Sequence, residues 1–284
     1  MSYLEHIEKC NHYNPDLYKP FCIDNKTLGW INKKFAEHLL RWSDVFLISD
    51  STVIFNPILS TPEQRTKAIA PIIEALHKEN IIDSWVGELY AVNQNYEEEP
   101  LFLMERAAVS YFGIRGYGVH LNGLVEKDNG TYIWIARRTK AKPFWPGMLD
   151  QMVAGGQPAG IGRLDNLIKE CAEEANISKS LASKAEFVST IHYRGSSSRG
   201  MSVDTLFNYD LILPENFIPE NTDGEVDEFI LMPLEEMAHI TETTHEFKDN
   251  CNLVNIDLLI RRGLINESHP DYIEIYEKLY APAT

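Results

Sequence analysis

The sequence predicts a protein of the α/β class. Runs rich in β-branched and aromatic residues alternate along the chain with segments whose apolar residues recur at helical spacing. Of the 284 residues, 44% are hydrophobic, which is enough apolar material for a sizeable core, and 24% are charged. This length and composition favour one large domain or two ordinary ones.

The N-terminal third predicts a small α/β layer with a core of its own. Residues 61–80 form the clearest predicted helix, because Thr-Pro-Glu-Gln opens an amphipathic run as a capping-type segment. Residues 27–42 also show helical spacing, and Thr27 is suited to cap that helix. The predicted strands are 19–24, 44–56, 85–92 and 101–114.

A second pattern begins near Gly113. We therefore place a smaller N-terminal α/β domain at residues 1–115 and a second domain with a helical tail at residues 116–284. Residues 116–139 predict two antiparallel strands joined by a turn at residues 128–130. Residues 194–202 form either a mobile loop or a long hairpin connection. The remaining predictions are strands at 151–154, 204–213 and 227–233, and helices at 233–241 and 250–280.

The net charge of the chain indicates which classes of partner it does not bind. Asp and Glu outnumber Lys and Arg by 42 to 26, for a net charge of −16. Such a surface repels nucleic acid and anionic membranes, so we expect neither as a partner. The four cysteines form no CxxC pair, and the acidic N-terminal segment does not resemble a signal or transit peptide. We expect a cytoplasmic protein whose oligomeric state is open, with a homodimer among the options.

Three glutamates cluster in the stretch GGQPAGIGRLDNLIKECAEEANIS, residues 155–178. On a helix, Glu170 neighbours both Glu173 and Glu174. A solvated acidic face is the common meaning of such a run. The glycine-rich approach favours instead a hard-cation site, since oxygen ligands suit Mg²⁺. The opposite side of the helix is expected to be buried through Leu164, Leu167, Ile168 and Cys171.

The segment from Lys169 to Ile177 resembles the Nudix box, in which a glycine precedes a helix with the pattern Arg-Glu-apolar-x-Glu-Glu-x-Gly-apolar. The resemblance implies that Glu170, Glu173 and Glu174 bind metal. Lys169 replaces the arginine, which keeps the charge but loses the planar fork. Asn176 replaces the last glycine and can adopt the same left-handed conformation. The earlier glutamate is absent, because its place falls on Ile161 or Gly162.

The flanking segments KPFCIDNKTLGWI, YGVHLNGLV and WPGMLDQMVAGGQPAGI resemble a Nudix subgroup related to the Nudix region attached to fungal thiamine pyrophosphokinases. This resemblance covers most of the chain. It implies an α/β/α sandwich with a mixed sheet, preceded by the smaller N-terminal domain. It also implies hydrolysis of thiamine diphosphate, or its oxidised derivatives such as oxothiamine and oxythiamine diphosphate.

The remaining site residues come from loops and strand ends. The resemblance implies a further glutamate that completes the metal shell or acts as base, and we favour Glu225 over Glu228. The predicted catalytic residues are therefore Glu170, Glu174 and Glu225. The basic run at residues 137–142 is suited to hold phosphates, although a solvated strand end is the simpler alternative. Trp145 is suited to stack on a heteroaromatic ring, although packing on the core is the simpler alternative. The predicted substrate-binding residues are Arg137, Arg138, Lys140, Trp145 and Gln157.

The sequence thus predicts a Mg²⁺-dependent hydrolase, with Mn²⁺ as an alternative ion, that converts a small-molecule diphosphate to the monophosphate and phosphate. Another diphosphate substrate, such as ADP-ribose, a dinucleotide or coenzyme A, stays open. So does a non-catalytic module that only binds such a ligand. We expect the N-terminal domain to form one wall of the substrate cleft and to supply no metal ligand.

Overall fold

The computed structural model describes residues 2–281. The helices are α1 (Tyr3–Cys10), α2 (Lys33–Leu39), α3 (Pro62–Lys78), α4 (Arg163–Ala175), α5 (Lys179–Ala182), α6 (Leu234–Thr243), α7 (Asp249–Arg261) and α8 (Tyr272–Leu279). The strands are β1 (Tyr18–Ile23), β2 (Lys26–Asn32), β3 (Phe46–Ile48), β4 (Val53–Phe55), β5 (Leu89–Val92), β6 (Phe102–Glu105), β7 (Arg115–Lys127), β8 (Gly130–Arg138), β9 (Leu149–Gln151), β10 (Val153–Gly156), β11 (Glu186–Ser197), β12 (Gly200–Ile212) and β13 (Val226–Pro233).

The N-terminal part is built on a four-stranded sheet in the order β2-β1-β4-β3, beside the two-stranded pair β5-β6. Its core is one cluster of buried residues between Phe21 and Ile114. Helix α3 begins at a full capping box, because the Gln64 N–H donates to Thr61 Oγ1 at 3.2 Å and Gln64 Oε1 accepts from the Thr61 N–H at 3.2 Å. The helix predicted for residues 61–80 is confirmed.

The helix predicted for residues 27–42 is wrong over its first half. Strand β2 occupies that half and pairs antiparallel with β1, from Tyr18↔Asn32 to Ile23↔Lys26. Helix α2 begins only at Lys33, where the Asn32 side chain accepts the Lys34 N–H at 2.9 Å. The predicted strand at 101–114 is also wrong over its second half. Its sheet pairing ends at Glu105, and a short 3₁₀ helix, Arg106–Ala108, follows.

The larger sheet runs in the order β11-β12-β7-β8-β13, with β10 paired to β7 and β9 to β8. Strands β12 and β7 are parallel, and the other pairs are antiparallel. Helix α4 covers one face, where Leu167 and Cys171 join a core with Val119. Helices α1, α6, α7 and α8 bury residues against the other face. The predicted α/β fold with a mixed sheet between helices is confirmed, as is the hairpin of β7 and β8.

Residues 194–202 lie in the hairpin of β11 and β12, whose strands continue to Ser197 and restart at Gly200. Of the two alternatives, the hairpin connection is therefore the one observed. Arg199 at its tip stands 3.8 Å from the ring centroid of Phe144 and pairs with Asp83 at 2.7 Å. The tip thus touches both the loop before β9 and the N-terminal part of the chain.

The two parts of the chain pack closely against each other. The Tyr18 hydroxyl on β1 donates to Ser196 Oγ on β11 at 3.0 Å. Helix α1, although first in sequence, contributes Tyr3 and Ile7 to the core shared with α7. The domain boundary at 115/116 stays a prediction. Among residues 2–281, no helix combines the length and apolar character needed to span a membrane.

Candidate functional site

Helix α4 carries the clustered glutamates and ends where the sequence indicated. Asn176 caps it in the left-handed conformation, with φ 52° and ψ 34°. Leu167 and Cys171 are buried as predicted, but Leu164 is 43% exposed, and Glu174 shares the buried face instead of lying opposite to it. The prediction for Leu164 is wrong because this residue lies in the first turn, ahead of the point where the helix packs on the sheet.

Glu174 lies deepest of the three glutamates and is only 9% exposed. Its Oε2 accepts the Ala154 N–H of β10 at 2.8 Å. Burial raises the pKa of Glu174 well above its ordinary value, and the negative charges of Glu170, Asp150 and Glu225 raise it further. A buried carboxylate among other carboxylates is costly unless a cation neutralises them. This face of the helix is not a solvated acidic surface.

Glu170 packs against the glycine that follows Ala154. A Cβ placed on Gly155 would stand 2.3 Å from Cδ of Glu170, so the carboxylate fills the space of the missing side chain. Burial raises the pKa of Glu170, while the positive charges of Lys169 and Arg106 oppose that rise. The Lys169 ammonium bonds Glu170 Oε1 at 2.9 Å. Lys169 thereby holds the carboxylate from the position where the Nudix pattern has arginine.

Glu173 differs from its neighbours because it is half-exposed and faces Lys169. The Lys169 Nζ to Glu173 Oε2 distance is 3.0 Å. The structure therefore brings Glu170 and Glu174 to β10 and leaves Glu173 in an ion pair on the helix surface. A metal-binding role for Glu173 stays a prediction.

A second segment completes the carboxylate group. Oxygens of Glu174, Asp223 and Glu225 all lie within 4.8 Å of one another. Glu225 stands at the start of β13, where the Thr139 N–H donates to its backbone oxygen at 2.9 Å and Lys142 pairs with its carboxylate. The alternative candidate, Glu228, instead pairs with Arg137 at 2.7 Å. These carboxylate oxygens are the donor set that a hard divalent cation prefers.

Arg138 is the basic residue that lines this cleft, together with Glu174 and Glu225. Its guanidinium pairs with Asp150 at 2.8 Å and bonds the backbone oxygens of Phe144 and Trp145, both at 3.1 Å. Arg138 thus anchors the loop before β9. A phosphate contact from Arg138 would require one of its donors to be shared with the ligand.

The other predicted substrate-binding residues are spread around the cleft. Arg137, next to Arg138 on β8, bonds Glu228 and the Gly147 backbone oxygen, so it is not brought into the cleft. Lys140 is exposed beside Gly147. Trp145 is 43% exposed with φ 48°, and the Lys248 Nζ stands 5.8 Å from its ring centroid. Gln157 is buried and braces its own loop, donating from Nε2 to Ile161 O at 2.7 Å.

Three residues near the carboxylates were not predicted from the sequence. Asp223 could have been noted as the acid preceding Gly224, beside the candidate Glu225. Tyr90 and Arg106 carry no local signal, because the packing of β5 and β6 alone brings them to β10. A Cβ at Gly156 would stand 1.8 Å from the Tyr90 hydroxyl oxygen and 3.1 Å from the Arg106 guanidinium carbon. Arg106 also pairs with Glu88 at 2.9 Å.

His120, Asp150 and Cys251 form a second close group, fully buried under the sheet. Two cations already pair with Asp150, since Lys248 stands at 3.3 Å and Arg138 at 2.8 Å. Burial opposes ionisation of Asp150, but Lys248 and Arg138 hold its pKa well below the usual range. Burial raises the pKa of Cys251, whose thiol donates to Asp150 Oδ1. This group is a structural brace, because the adjacent positive charges disfavour a metal ion.

Comparison with known proteins finds relatives along nearly the whole chain. A family model described as "Domain of unknown function (DUF4743)" matches residues 2–116. "Nudix hydrolase 24, chloroplastic" of Arabidopsis thaliana is 42% identical over 281 residues, covering 98% of this chain and 77% of that protein. "Nudix hydrolase 20, chloroplastic" of the same plant is 42% identical over 288 residues, with the same coverage.

A similar solved structure is that of DR0079 from Deinococcus radiodurans, which is 19% identical with a TM-score of 0.41. The match covers 59% of this chain and 95% of the DR0079 chain.

The names of the two plant relatives place those proteins in the chloroplast. This finding contradicts the predicted cytoplasmic location, which is wrong. The prediction rested on cysteine content and an acidic N-terminal segment. Unpaired cysteines indicate a reducing environment and do not distinguish one reducing compartment from another.

Proposed function

Since the chain belongs to the Nudix hydrolase family, we propose that it hydrolyses the diphosphate of a small organic molecule at the cleft formed by α4, β10 and the start of β13. The predicted enzyme class, a hydrolase of phosphorus-containing anhydrides, is confirmed by that membership. The residues, the ion and the substrate that follow are our proposals.

The proposal rests on the two carboxylates of α4 that contact Ala154 and Gly155, adjacent residues of β10. Glu174 accepts the Ala154 N–H, and Glu170 fills the space beside Gly155. Glu225 and Asp223 face Glu174 from the other side of the cleft. A purely ligand-binding module would gain nothing from this concentration of like charge, whereas a diphosphate hydrolase needs it to hold a cation.

The donor set fits a divalent cation, which we propose to be Mg²⁺, with Mn²⁺ as an alternative. The oxygens of Glu174, Glu225 and Asp223 converge and would hold it together with Glu170. Burial disfavours the charges of Glu174 and Glu170 without a cation. When bound, such an ion polarises a phosphoryl oxygen and offsets the negative charge that develops during hydrolysis.

The side chains of the chain supply the proton chemistry and the phosphate contacts. Glu170 is suited to accept a proton from the attacking water, since burial raises the pKa of this carboxyl and makes it a stronger base. Arg138 and Lys142 border the carboxylates and can share donors with phosphate oxygens. Arg106 approaches from the N-terminal part, on the Gly156 side of β10. That position supports our proposal that the N-terminal part forms one wall of the cleft.

Thiamine diphosphate, or an oxidised derivative, is our proposed substrate. The motif resemblance of the flanking segments supports it, and so does an exposed aromatic ring on the loop before β9. Trp145 presents an exposed ring on the loop held by Arg138. An exposed indole face is suited to stack on a heteroaromatic ring.

A substrate panel tests the proposal. Thiamine diphosphate, oxythiamine diphosphate, ADP-ribose, a dinucleotide and coenzyme A would be assayed side by side with Mg²⁺, with phosphate and nucleotide products measured. We expect the highest kcat/KM for a thiamine-type diphosphate. Higher kcat/KM for a nucleoside diphosphate derivative would refute the thiamine proposal and keep the diphosphatase. Tight ligand binding without any product would refute catalysis itself.

Matched variants confirm that the measured hydrolysis belongs to this cleft. Glu225→Gln removes a charge from the carboxylate group, whereas Glu228→Gln removes one three residues later, on β13, from an ion pair with Arg137. We expect only Glu225→Gln to reduce turnover strongly.

A further inference from the structure

A cavity of about 570 Å³ lies between the N-terminal sheet and the face of the larger sheet that α4 covers. Its size falls in the range of small-molecule sites. Strand β2 and the loop after β5 form one side, and β7, β11 and β12 form the other. Its lining includes Trp30, Asn93, Arg115, Tyr117, His192 and Thr205.

Basic side chains converge on one side of this cavity. Arg115, His192 and Arg194 lie on neighbouring strands of the larger sheet and point to the same face, as the pairing His192↔Thr205 and Val203↔Arg115 requires. No Asp or Glu occurs among the described residues that line the cavity. In a chain with a net charge of −16, basic side chains on a cavity whose described lining holds no Asp or Glu favour an anionic ligand.

The hydrogen bonds of Thr205 orient this wall. Arg115 Nη1 donates to Thr205 Oγ1 at 3.1 Å, and the same oxygen lies 2.9 Å from His192 Nδ1. Burial and the charge of Arg115 lower the pKa of His192, which keeps the ring neutral. In the tautomer whose Nδ1 accepts the Thr205 hydroxyl hydrogen, His192 carries its proton on Nε2 and donates there. Arg115 and His192 are thus held as donors by one hydroxyl group.

The other walls are aromatic and amide in character. Trp30, Tyr96, Tyr117 and Phe207 line the cavity, and Arg194 stacks 5.5 Å from the ring centroid of Trp30. The Tyr117 hydroxyl donates to Asn93 Oδ1 at 3.1 Å, and the exposed Asn95 stands at the rim. Aromatic faces accept a planar ring, and amide side chains can bond its heteroatoms.

We propose that this cavity binds a small heteroaromatic anion, a planar nitrogen-containing ring that carries a phosphate or carboxylate group, at a site separate from the catalytic cleft. The anion contacts Arg115 and His192, and the ring lies among Trp30, Tyr117 and the amides of the loop after β5. The two sites share no lining residue. They are linked through β7, because the Tyr117 backbone oxygen accepts the Gln157 N–H at 2.9 Å, immediately after β10.

Calorimetric titration of the full chain tests this site with three probes: adenosine monophosphate, adenosine and inorganic phosphate. A chelator is present throughout, so that no divalent ion supports binding at the carboxylates. We expect adenosine monophosphate to bind more tightly than either of its parts. Arg115→Gln and His192→Gln should each weaken it roughly tenfold or more, the loss of a hydrogen bond to a charged group. Thr205→Val keeps both donors but releases their orientation, and a smaller loss is expected.

Two controls separate the sites. Arg262→Gln removes an arginine that pairs with Glu126 and lines neither cleft, and it should leave binding unchanged. Glu174→Gln and Arg138→Gln alter the catalytic cleft and should also leave binding unchanged. Loss of binding in these two variants, with retention in Arg115→Gln, would place the ligand in the catalytic cleft and overturn the proposal. Absence of binding for all three probes, or equal binding in Arg115→Gln and His192→Gln, would overturn it as well.

Discussion

Glu170 and Gly155 share one space: the carboxylate of the first occupies the position where the second would carry a side chain. A Cβ at Gly155 would lie 2.3 Å from Glu170 Cδ and 2.7 Å from Oε2. The preceding residue, Ala154, donates its N–H to Glu174. Two consecutive positions of β10 therefore orient the two carboxylates on which the proposed hydrolysis depends.

Gly155→Ala should displace Glu170 and lower kcat by roughly 10–100-fold, since misplacing a catalytic group by about 1 Å has an effect of that order. Steady-state kinetics on the confirmed substrate measure the change. Gly162→Ala is the matched control, because a Cβ there meets only Asp165 Oδ2 at 3.7 Å. Equal activity in both variants would show that the position of Glu170 does not limit turnover.

Glu170→Gln and Glu174→Gln should each lower turnover by roughly 100-fold or more. Without metal, the melting temperature of Glu174→Gln should equal or exceed that of the wild type, because burial raises the pKa of Glu174 and the neutral amide removes that unfavourable charge. Thermal unfolding in a chelator measures this.

Glu173→Gln distinguishes the metal-binding prediction from the observed ion pair with Lys169. A small change in Mn²⁺ affinity, measured by electron paramagnetic resonance, would support the ion pair.

The stability of the protein should fall on acidification through His120. Burial lowers the pKa of His120 from 6.5 to about 4 in the folded protein. Between these values the unfolded chain binds more protons than the folded one, so unfolding becomes easier as pH falls from about 6.5 to about 4. The full difference is on the order of 3 kcal/mol.

His120→Asn isolates this contribution, because the asparagine amide can replace Nδ1 as the donor to Gln151 Oε1. Urea unfolding at pH 7.5 and pH 5 should show a smaller loss of free energy of unfolding in the variant. Raised carboxyl pKa values at Glu170 and Glu174 act in the opposite direction, but they are common to both proteins and cancel. A parallel loss in both proteins would contradict the assignment to His120.

Arg106→Gln should raise KM roughly tenfold with little change in kcat if the N-terminal part forms a wall of the cleft. A point substitution is the better test than removal of residues before Tyr117, because removal also takes away α1 from the core shared with α7. Arg41→Gln is a matched control, since Arg41 pairs with Glu79 on the same part of the chain. An unchanged KM would remove Arg106 from substrate recognition.

Local sequence signals predicted the elements whose structure is decided locally. The capping box of α3, the left-handed Asn176 and the tight turn between β7 and β8 are each formed by residues within a few positions of one another. The helical spacing of residues 27–42 failed because β2 pairs with β1, a tertiary interaction that outweighs local preference. An apolar pattern alone could not distinguish the two.

The carboxylates of α4 could likewise be predicted because one helix brings them together. Asp223 could not be singled out among many exposed acids, and its role depends on the return of the chain to Glu174 before β13. Tyr90 and Arg106 reach Gly156 only through the packing of the two parts of the chain. The depth of Glu174 and the outward position of Glu173 are also properties of packing, since the two are adjacent in sequence.

The position of α1 has a consequence for synthesis on the ribosome. Lys9 Nζ meets Asp249 Oδ1 at 2.8 Å across 240 residues of chain. At roughly 5–20 residues per second, α1 emerges on the order of ten seconds or more before α7. During that interval the apolar face of Ile7 and Cys10 lacks α7, whereas the core between Phe21 and Ile114 lies within one contiguous stretch and can form first. A nascent chain stalled before α7 would therefore expose one finished core and one open hydrophobic face, which is the kind of surface that molecular chaperones bind.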